Sequence, residues 1–328
     1  MVRPSLLWLA ALSLCACGGD ADPPIAPGAP VYPKDASLTL ADAQWKATHN
    51  SYHVETPGNT LPDWKYTMPP LDAQLEQDGV RSVELDVHWV GEGEPIRVHH
   101  LDYLDETSTC ATLVECLTTL RRWSDAHPGH LALYVQMELK SGFTVKNSDV
   151  SFAALHAEIA SVWPPSRVVT PAGVRGDAPT LREAVAARGW PTLGETRQKI
   201  FFGLDEDGPL RDAYTHGGVG LDDRLCFIES APADPYAALA IVNDPRDATA
   251  IDAALSAGML VRVFGTSLDG PPADNDVAAA SGAHFVSTDY PADAPDPTRT
   301  LRLPGGAPAR CNPRTAPADC TAADIEHR

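Results

Sequence analysis

Positive charge is scarce in this sequence. The 328 residues contain 25 Lys and Arg against 44 Asp and Glu, a formal net charge of −19. Nucleic acids are bound through clustered Lys and Arg, so this balance argues against a nucleic-acid partner. The sequence also has no GxGxxG after its first predicted strand, no P-loop and no G-x-S-x-G. Dinucleotide binding, nucleotide hydrolysis and lipase chemistry at an acyl ester are therefore not indicated.

Long apolar runs are scarce too, and the marked run at residues 6–14 is too short to span a bilayer. It follows Arg3 and precedes small residues, which is typical of a secretory signal peptide. The letters LCAC at 14–17 resemble a bacterial lipobox in which Cys17 receives the lipid, with plain secretion as the alternative. We expect residues 1–17 to be a lipoprotein signal peptide and residues 18–37 a Pro/Ala/Gly-rich tether. The protein is then exported to the bacterial envelope, either membrane-anchored or secreted.

Five of the seven cysteines lie outside the signal peptide, where an oxidising compartment allows pairing. Cys110 with Cys116, and Cys311 with Cys320, are close in sequence and would close small loops, leaving Cys226 as a buried thiol. Five cysteines permit other pairings, so this connectivity stays one of several.

Short β-rich runs alternate with helical patterns from about residue 38. Strands are predicted at 43–50, 80–89, 95–100, 131–140, 199–205, 224–230, 259–266 and 283–290. Helical patterns lie between most of them, at 68–79, 113–129, 151–163, 180–189, 245–258 and 275–283. Eight strands with intervening helices predict an α/β fold of one domain, a (β/α)8 TIM-type barrel that can be distorted; a doubly wound sheet is the alternative. We expect the catalytic barrel at residues 38–292 and a Pro-rich C-terminal extension at 293–328 that wraps its outside.

Polar side chains follow the first four predicted strands. In a parallel barrel the active site lies at the carboxyl ends of the strands, so polar residues there are candidates for chemistry. Residues two apart on a strand share one face. The four strand ends carry, in order, His49 and Asn50; Glu84 and Asp86; His99 and His100; Glu138 and Lys140.

Three carboxylates in this set, those of Glu84, Asp86 and Glu138, would face one another inside the barrel. Their mutual repulsion and desolvation are unfavourable unless a cation compensates. With the amide oxygen of Asn50 they form an oxygen-only set suited to Ca²⁺ or Mg²⁺ rather than zinc.

Two histidines facing such a cation indicate phosphoryl transfer with acid and base groups. Paired carboxylates are also found in glycosidases. However, an E-x-D on a single strand does not place two groups on opposite faces of a sugar ring.

The ordered motifs THNSYH, GVRSVELDVHW, PIRVHH, LYVQMELK and SGAHFVSTDYP span most of residues 40–292. Together they resemble the phosphatidylinositol-specific phospholipase C superfamily, and within it the calcium-dependent bacterial branch. The resemblance implies a phosphodiesterase that cleaves phosphatidylinositol to diacylglycerol and an inositol cyclic phosphate, which water can later open. It implies Ca²⁺ as the cofactor. We expect the protein to reach the membrane through its substrate or the N-terminal lipid anchor, and to be a monomer.

The resemblance also implies a ligand set for calcium. The ion would lower the pKa of the inositol 2-hydroxyl, which then attacks the phosphorus internally. The matching ligands in this sequence are Asn50, Glu84, Asp86 and Glu138.

By the same resemblance, His49 acts on the attacking side, as base or as stabiliser of the pentavalent phosphorus. His99 protonates the departing diacylglycerol oxygen, with the neighbouring His100 as the alternative acid. Lys140 and Arg262 are expected to contact phosphate oxygens.

Two other functions remain alternatives. A glycerophosphodiester phosphodiesterase would share the barrel and the E-x-D, but that family characteristically begins with His-Arg where this chain has His49 and Asn50. His100 also stands where that family commonly has Asp. The second alternative is a non-catalytic, metal-stabilised surface lipoprotein.

Overall fold

Strands and helices alternate along most of the chain. The structure is a computed structural model that describes residues 30–326. In that range the strands are β1 (Ala43–Thr48), β2 (Ser82–His88), β3 (Arg97–Val98), β4 (Leu133–Leu139), β5 (Ile200–Asp205), β6 (Phe227–Ile228), β7 (Leu239–Val242), β8 (Leu260–Phe264), β9 (Phe285–Thr288) and β10 (Ala309–Cys311). The α-helices are α1 (Leu71–Glu76), α2 (Leu113–Ala126), α3 (Ser148–Val162), α4 (Pro171–Arg175), α5 (Leu181–Arg188), α6 (Leu193–Thr196), α7 (Gly208–Tyr214), α8 (Ala248–Ser256), α9 (Asp274–Ala280) and α10 (Ala322–Ile325). Short 3-10 helices span Leu40–Asp42, Pro62–Trp64, Val145–Asn147, Pro165–Arg167 and Pro304–Gly306.

Eight of these strands run parallel around a nearly closed barrel. They are hydrogen-bonded in the order β6, β5, β4, β2, β1, β9, β8, β7. A parallel bridge between Glu229 and Leu239 lies where the two ends of this order approach each other. The prediction of a single-domain (β/α)8 TIM-type barrel is confirmed.

Aromatic side chains fill the lower part of the barrel interior. The ring centroids of Trp45 and Phe285 are 5.1 Å apart, and Tyr134 lies 4.2 Å from Phe285 and 5.0 Å from Phe201. Side chains two and four residues further along each strand share this inward face. The aromatic layer therefore forms the floor of the barrel interior, and the polar strand ends lie above it.

The long helix α2 shows how the sequence sets the helical layer. Thr112 and Glu115 form a capping box at its start, each accepting a hydrogen bond from the backbone N–H of the other. Leu113, Leu117 and Leu120 are buried at helical spacing. Cap and apolar stripe together fix where α2 begins and which face it turns to the barrel.

One strand prediction was wrong. The segment 95–100 is not a barrel strand, because β3 is two residues long and pairs antiparallel with β2, Val98 opposite Val87. Only residues 89–96 separate the two strands, too few for a parallel crossover of a dozen or more residues. The missing parallel strand is β7, which the sequence pattern did not indicate.

The C-terminal segment is part of the barrel's amino-terminal end rather than an outer wrapping. β10 pairs antiparallel with the start of β1, Cys311 opposite Ala43. Near the end of the described chain, the buried carboxylate of Glu326 accepts hydrogen bonds from Arg81, the shortest at 2.6 Å. The expected extension at 293–328 thus contributes a strand and a buried ion pair.

Packing also begins earlier than the predicted boundary at residue 38. Tyr32 is buried, and the central carbon of the Arg197 guanidinium lies 3.7 Å from the centroid of the Tyr32 ring. Asp35 accepts a 2.7 Å hydrogen bond from the same guanidinium. Tyr32 and Asp35, which fall within the tether predicted for residues 18–37, therefore pack against the barrel. The predicted signal peptide at residues 1–17, with Cys17, lies outside the described residues.

Two disulfides close small loops in the structure, Cys110–Cys116 and Cys311–Cys320, while Cys226 is a buried free thiol. Within residues 30–326, the helices are all too short or too polar to cross a membrane.

Candidate active site

Three carboxylates meet at the carboxyl ends of β2 and β4. Asp86 lies opposite Glu138 in the β2–β4 ladder, and Glu84 shares its face, so one oxygen of each carboxylate lies within 4.8 Å of the other two. Both carboxylate oxygens of Asp86 are buried and neither has a hydrogen-bond partner. Burial, opposed by Lys140 and reinforced by Glu84 and Glu138, raises the pKa of Asp86 to about 8. We call Glu84, Asp86 and Glu138 the acidic triad; its three carboxylates, with both Asp86 oxygens lacking a hydrogen bond, fit a hard divalent cation such as Ca²⁺.

Lys140 lies over this triad. Its Nζ is 2.5 Å from Glu138 Oε1 and 3.3 Å from Asp86 Oδ2, and its side chain is one-fifth exposed. The ammonium group therefore balances part of the negative charge at the mouth of the barrel and can reach the solvent.

Arg262 is buried inside the barrel beside the acidic triad. Its Nη2 donates a 3.0 Å hydrogen bond to Glu84 Oε2, and its Nη1 donates a 2.5 Å hydrogen bond to Asn243 Oδ1. Both ends of the ion pair with Glu84 are buried. The guanidinium holds Glu84 in place and compensates its charge.

Asn50 follows β1 beside β2. The backbone N–H of Ser51 donates to the carbonyl of Glu84 at 3.1 Å, and Asn50 itself adopts a left-handed φ of 44°, which Asn tolerates better than most residues. Its side chain is buried, with Oδ1 accepting a 3.3 Å hydrogen bond from the Tyr52 hydroxyl. The turn thus directs an amide into the barrel mouth next to the strand that carries Glu84.

His49 forms an imidazole–carboxylate pair with Asp289, the residue that follows β9. Its Nδ1 lies 2.8 Å from Asp289 Oδ1, and its Nε2 is 3.9 Å from Glu84 Oε1. Burial lowers the pKa of His49, but Glu84 and Asp289 outweigh this and raise it to about 9. Asp289 therefore fixes the ring so that Nε2 faces the acidic triad.

His99 and His100 have different surroundings. The backbone N–H of His99 donates to the carbonyl of Asp86 at 3.3 Å, and its Nε2 lies 2.8 Å from Asp102 Oδ1. The side chain of His100 instead contacts Asp105, whose Oδ2 is 3.0 Å from His100 Nδ1 and 2.8 Å from His53 Nε2. His99 is thus the histidine directly beside the strand that carries the triad.

Three carboxylates near this site were not predicted. Asp289 and Asp102 contact the two candidate histidines, and Asp205 ends β5 opposite Glu138. Burial, with a smaller contribution from Glu84, raises the pKa of Asp205 to about 7. Asp289 and Asp205 lie at the ends of predicted strands, so applying the strand-end rule to all eight strands would have found both.

A strongly acidic cavity of about 420 Å³ opens beside the triad. Asn243 and Ile241 also line it. Its carboxylates are those of Glu138, Asp205, Glu206, Asp207 and Glu229.

Residues 90–313 match the family model described as phosphoinositide phospholipase C, Ca²⁺-dependent. The chain belongs to this family. The predictions of a phosphodiesterase of the phosphatidylinositol-specific phospholipase C type, and of Ca²⁺ as its cofactor, are confirmed. The match begins after β2, so the arrangement of His49, Asn50, Glu84 and Asp86 rests on the geometry above.

Solved structures share the fold. A calcium-dependent phosphoinositol-specific phospholipase C from a Gram-negative Pseudomonas species is 19% identical, with 86% of this chain and 98% of that chain covered and a TM-score of 0.64. The enzyme from Streptomyces antibioticus, described as a Ca²⁺-dependent phosphatidylinositol-specific phospholipase C, is 22% identical, covers 80% of this chain and 98% of its own, and has a TM-score of 0.58. Comparison with curated protein sequences gave no match.

Proposed function

We propose that this family member cleaves phosphatidylinositol to diacylglycerol and an inositol cyclic phosphate. The observation that carries the proposal is the acidic triad, with its unsatisfied Asp86, lying beside two imidazole–carboxylate pairs at one barrel mouth. A cation and two proton-transfer groups are suited to internal attack on a phosphodiester.

The calcium ligands we propose are Asn50, Glu84, Asp86 and Glu138. When bound, the ion supplies positive charge that lowers the pKa of the inositol 2-hydroxyl and balances charge on the phosphate. The buried carboxylate of Asp86 supports this assignment, because neither of its oxygens has a hydrogen-bond partner and only Oδ2 lies in an ion pair, 3.3 Å from Lys140 Nζ.

Two proton transfers accompany the reaction. The 2-hydroxyl oxygen forms a bond to phosphorus while the bond from phosphorus to the diacylglycerol oxygen breaks. His49 acts at the attacking oxygen, as base or as stabiliser of the pentavalent phosphorus, with Asp289 holding its ring. His99 donates a proton to the departing diacylglycerol oxygen, and Asp102 orients it.

Lys140 is our candidate for the phosphate contact. It is one-fifth exposed at the mouth and its flexible chain can turn from the triad to a phosphate oxygen. Arg262 is buried against Glu84 and Asn243, so we propose that it influences the phosphate through Glu84.

Exposed apolar side chains on the loops that follow β1 to β4 support a lipid surface as the site of action. They are Leu61, Val90, Tyr103, Leu104 and Val145. A net charge of −19 gives no attraction to anionic lipid, so insertion of apolar side chains is the contact we propose. Replacing Tyr103 and Leu104 by Ser should weaken vesicle binding without slowing cleavage of a water-soluble inositol phosphodiester; unchanged vesicle binding would count against this surface.

We also propose that the chain is exported and carries a lipid on Cys17. The apolar run and the LCAC sequence support this. A Cys17→Ser form should leave the membrane fraction, whereas unchanged fractionation would argue for plain secretion.

The substrate assignment is tested with vesicles of phosphatidylinositol, vesicles of phosphatidylcholine and soluble glycerophosphocholine. We expect calcium-dependent release of a phosphate-containing head group from phosphatidylinositol alone. Cleavage of glycerophosphocholine at a comparable rate would favour a glycerophosphodiester phosphodiesterase instead.

A further inference from the structure

Of the four proposed calcium ligands, only Asn50 ends in an amide. A carboxylate presents an oxygen in either orientation of its terminal torsion, whereas half a turn of the Asn50 amide puts an NH₂ group where the oxygen was. The two orientations have the same shape, so the packing around this buried side chain does not choose between them. Hydrogen bonds to the amide must therefore make the choice.

The backbone around Asn50 is fixed and leaves only this choice open. The backbone N–H of Ser51 donates to the carbonyl oxygen of Glu84 at 3.1 Å, and Ser51 Oγ accepts a 2.8 Å hydrogen bond from the backbone N–H of Glu84. The carbonyl oxygen of Asn50 accepts a 2.9 Å hydrogen bond from the backbone N–H of His53. The turn is thus tied to β2, so the Cα of Asn50 is held in place while its amide can still rotate.

The hydroxyl of Tyr52 selects one end of the amide. It donates a 3.3 Å hydrogen bond to Asn50 Oδ1, and the Tyr52 side chain is completely buried. Burial, followed by the charge of Asp86, raises the pKa of Tyr52 well above its ordinary value, so this hydroxyl lies beside the acidic triad as well as beside Asn50. A carbonyl oxygen has two lone pairs, of which Tyr52 uses one, so the other remains available for a cation.

The hydroxyl of Tyr66 contacts the other end of the amide. Burial and the charge of Asp289 raise the pKa of Tyr66, whereas its hydrogen bond with Asn50 lowers it. A hydrogen bond that lowers the pKa of a phenol is one donated to its oxygen, so the Asn50 nitrogen is the donor. The ring of Tyr66 is itself held in place, because it stacks on the His53 imidazole with the ring centroids 4.1 Å apart.

Turning the amide over would deprive the Tyr52 hydroxyl of its acceptor. Two N–H groups would then face it, and its proton could not turn to water, because the side chain is completely buried. The neighbouring Asp86 is no substitute, since its oxygens make no hydrogen bond in the structure and are assigned to calcium above. A buried donor without an acceptor is unfavourable, so the observed orientation of the amide is preferred.

We propose that Tyr52 is a positioning residue of the calcium site, which keeps the oxygen of the Asn50 amide, and not its nitrogen, directed at the ion. Tyr66 supports the same orientation from the nitrogen side. The inference rests on the calcium ligands proposed above, of which Asn50 is one, and adds the residue on which the use of that ligand depends.

Calorimetric titration of the full chain with CaCl₂ tests the proposal without an activity assay. We expect Tyr52→Phe to weaken Ca²⁺ binding about fivefold, the factor that corresponds to one hydrogen bond. Without the hydroxyl, the amide can turn its NH₂ group towards the carboxylates of the triad, and binding must turn it back. Tyr214→Phe is the matched control and should keep the wild-type affinity, because Tyr214 is equally buried and its hydroxyl accepts a hydrogen bond from the backbone N–H of Cys226, outside the site.

A second background separates amide orientation from packing. Asn50→Asp offers an oxygen in either orientation, so adding Tyr52→Phe to Asn50→Asp should not weaken Ca²⁺ binding further. The same fivefold loss in both backgrounds would overturn the proposal, because it would assign the effect of Tyr52 to packing or to Asp86. Tighter binding in Tyr52→Phe would overturn it too, since the hydroxyl would then compete with the ion for the amide oxygen.

Asn50→Ala distinguishes this proposal from the proposed function. If Asn50→Ala weakens Ca²⁺ binding and Tyr52→Phe does not, the proposed ligands stand and the positioning role of Tyr52 is refuted. If neither variant changes the affinity, Asn50 is not a ligand, and both the proposed ligand set and this inference are wrong.

Discussion

Asp289 offers the sharpest test of how the barrel prepares His49. Its buried carboxylate lies 2.8 Å from His49 Nδ1, while its other oxygen accepts a 3.0 Å hydrogen bond from the backbone N–H of Leu268. An ionised carboxylate only accepts hydrogen bonds, so it keeps the proton on Nδ1. Asp289→Asn preserves shape and the Leu268 contact, but it removes a negative charge that raises the pKa of His49. Its amide also donates to Nδ1, so the ring becomes neutral with its one proton on Nε2.

The size of the expected fall in kcat follows from the proton on His49 Nε2. With Nε2 protonated and the ring neutral, His49 can neither accept the hydroxyl proton nor carry the charge that steadies the phosphorus. Acid–base groups contribute about 10²- to 10⁴-fold, or roughly 3 to 5 kcal/mol, so we expect kcat to fall by that factor at saturating Ca²⁺. KM on phosphatidylinositol vesicles should change little.

The control for this variant is Asp223→Asn, which alters a 2.8 Å pair with His216 on the surface. It should retain wild-type kcat. If Asp289→Asn keeps kcat within about threefold of wild type, with unchanged thermal stability and Ca²⁺ affinity, then Asp289 does not position a catalytic imidazole.

Three further predictions concern the metal and stability. Chelation should stop turnover and added Ca²⁺ should restore it; full activity in excess chelator would leave the acidic triad without its function. Lys140→Met should tighten Ca²⁺ binding, by roughly fivefold in calorimetry, because calcium no longer displaces an ammonium from Asp86, yet it should slow turnover; weaker binding would contradict this. Buried His284 accepts a 3.0 Å hydrogen bond from the Val261 N–H at Nδ1, and burial lowers its pKa to about 4. In the unfolded chain the same imidazole binds a proton near pH 6.5, whereas in the folded chain it does so only near pH 4. The contribution of neutral His284 to the free energy of unfolding should therefore be complete above pH 6.5 and fall by up to about 1.4 kcal/mol per pH unit towards pH 4. His284→Gln should make the decline between pH 7 and pH 5 shallower in urea unfolding, and an identical slope would refute the assignment.

Alternation along single strands carried most of the information about the carboxylates. Glu84 and Asp86 are two residues apart, so any strand through them directs both to one face. Glu138 joins them because β2 and β4 are neighbours in register, which follows only once the strand order is known. The meeting of the three carboxylates could therefore be predicted once a barrel was assumed, but not from the residues alone.

Two strand assignments depended on tertiary context. The segment around Val98 has the composition of a strand, but it forms a short antiparallel strand beside β2. Too few residues separate it from His88 for the crossover that a parallel strand needs. β7 is four residues long and follows a run of alanines at 237 and 238, so neither alternation nor β-branched composition marks it before Ile241. Its position is set by closure of the barrel between its neighbours.

Contacts between residues far apart in the sequence could not be predicted from local sequence patterns. His49 and Asp289 are 240 residues apart and meet because β1 and β9 are adjacent. Arg262 was expected at the phosphate, and in the structure its guanidinium donates a hydrogen bond to Glu84, a contact that local sequence does not indicate. The depth of a side chain within a barrel depends on strand stagger, which the sequence does not display.

Phosphorus NMR of the full chain acting on phosphatidylinositol vesicles, with Ca²⁺ and with excess chelator, tests calcium-assisted internal attack. We predict an inositol cyclic phosphate signal that appears before any monoester and only when Ca²⁺ is present. A monoester formed without a cyclic precursor, or a cyclic phosphate formed equally fast in chelator, would contradict calcium-assisted internal attack.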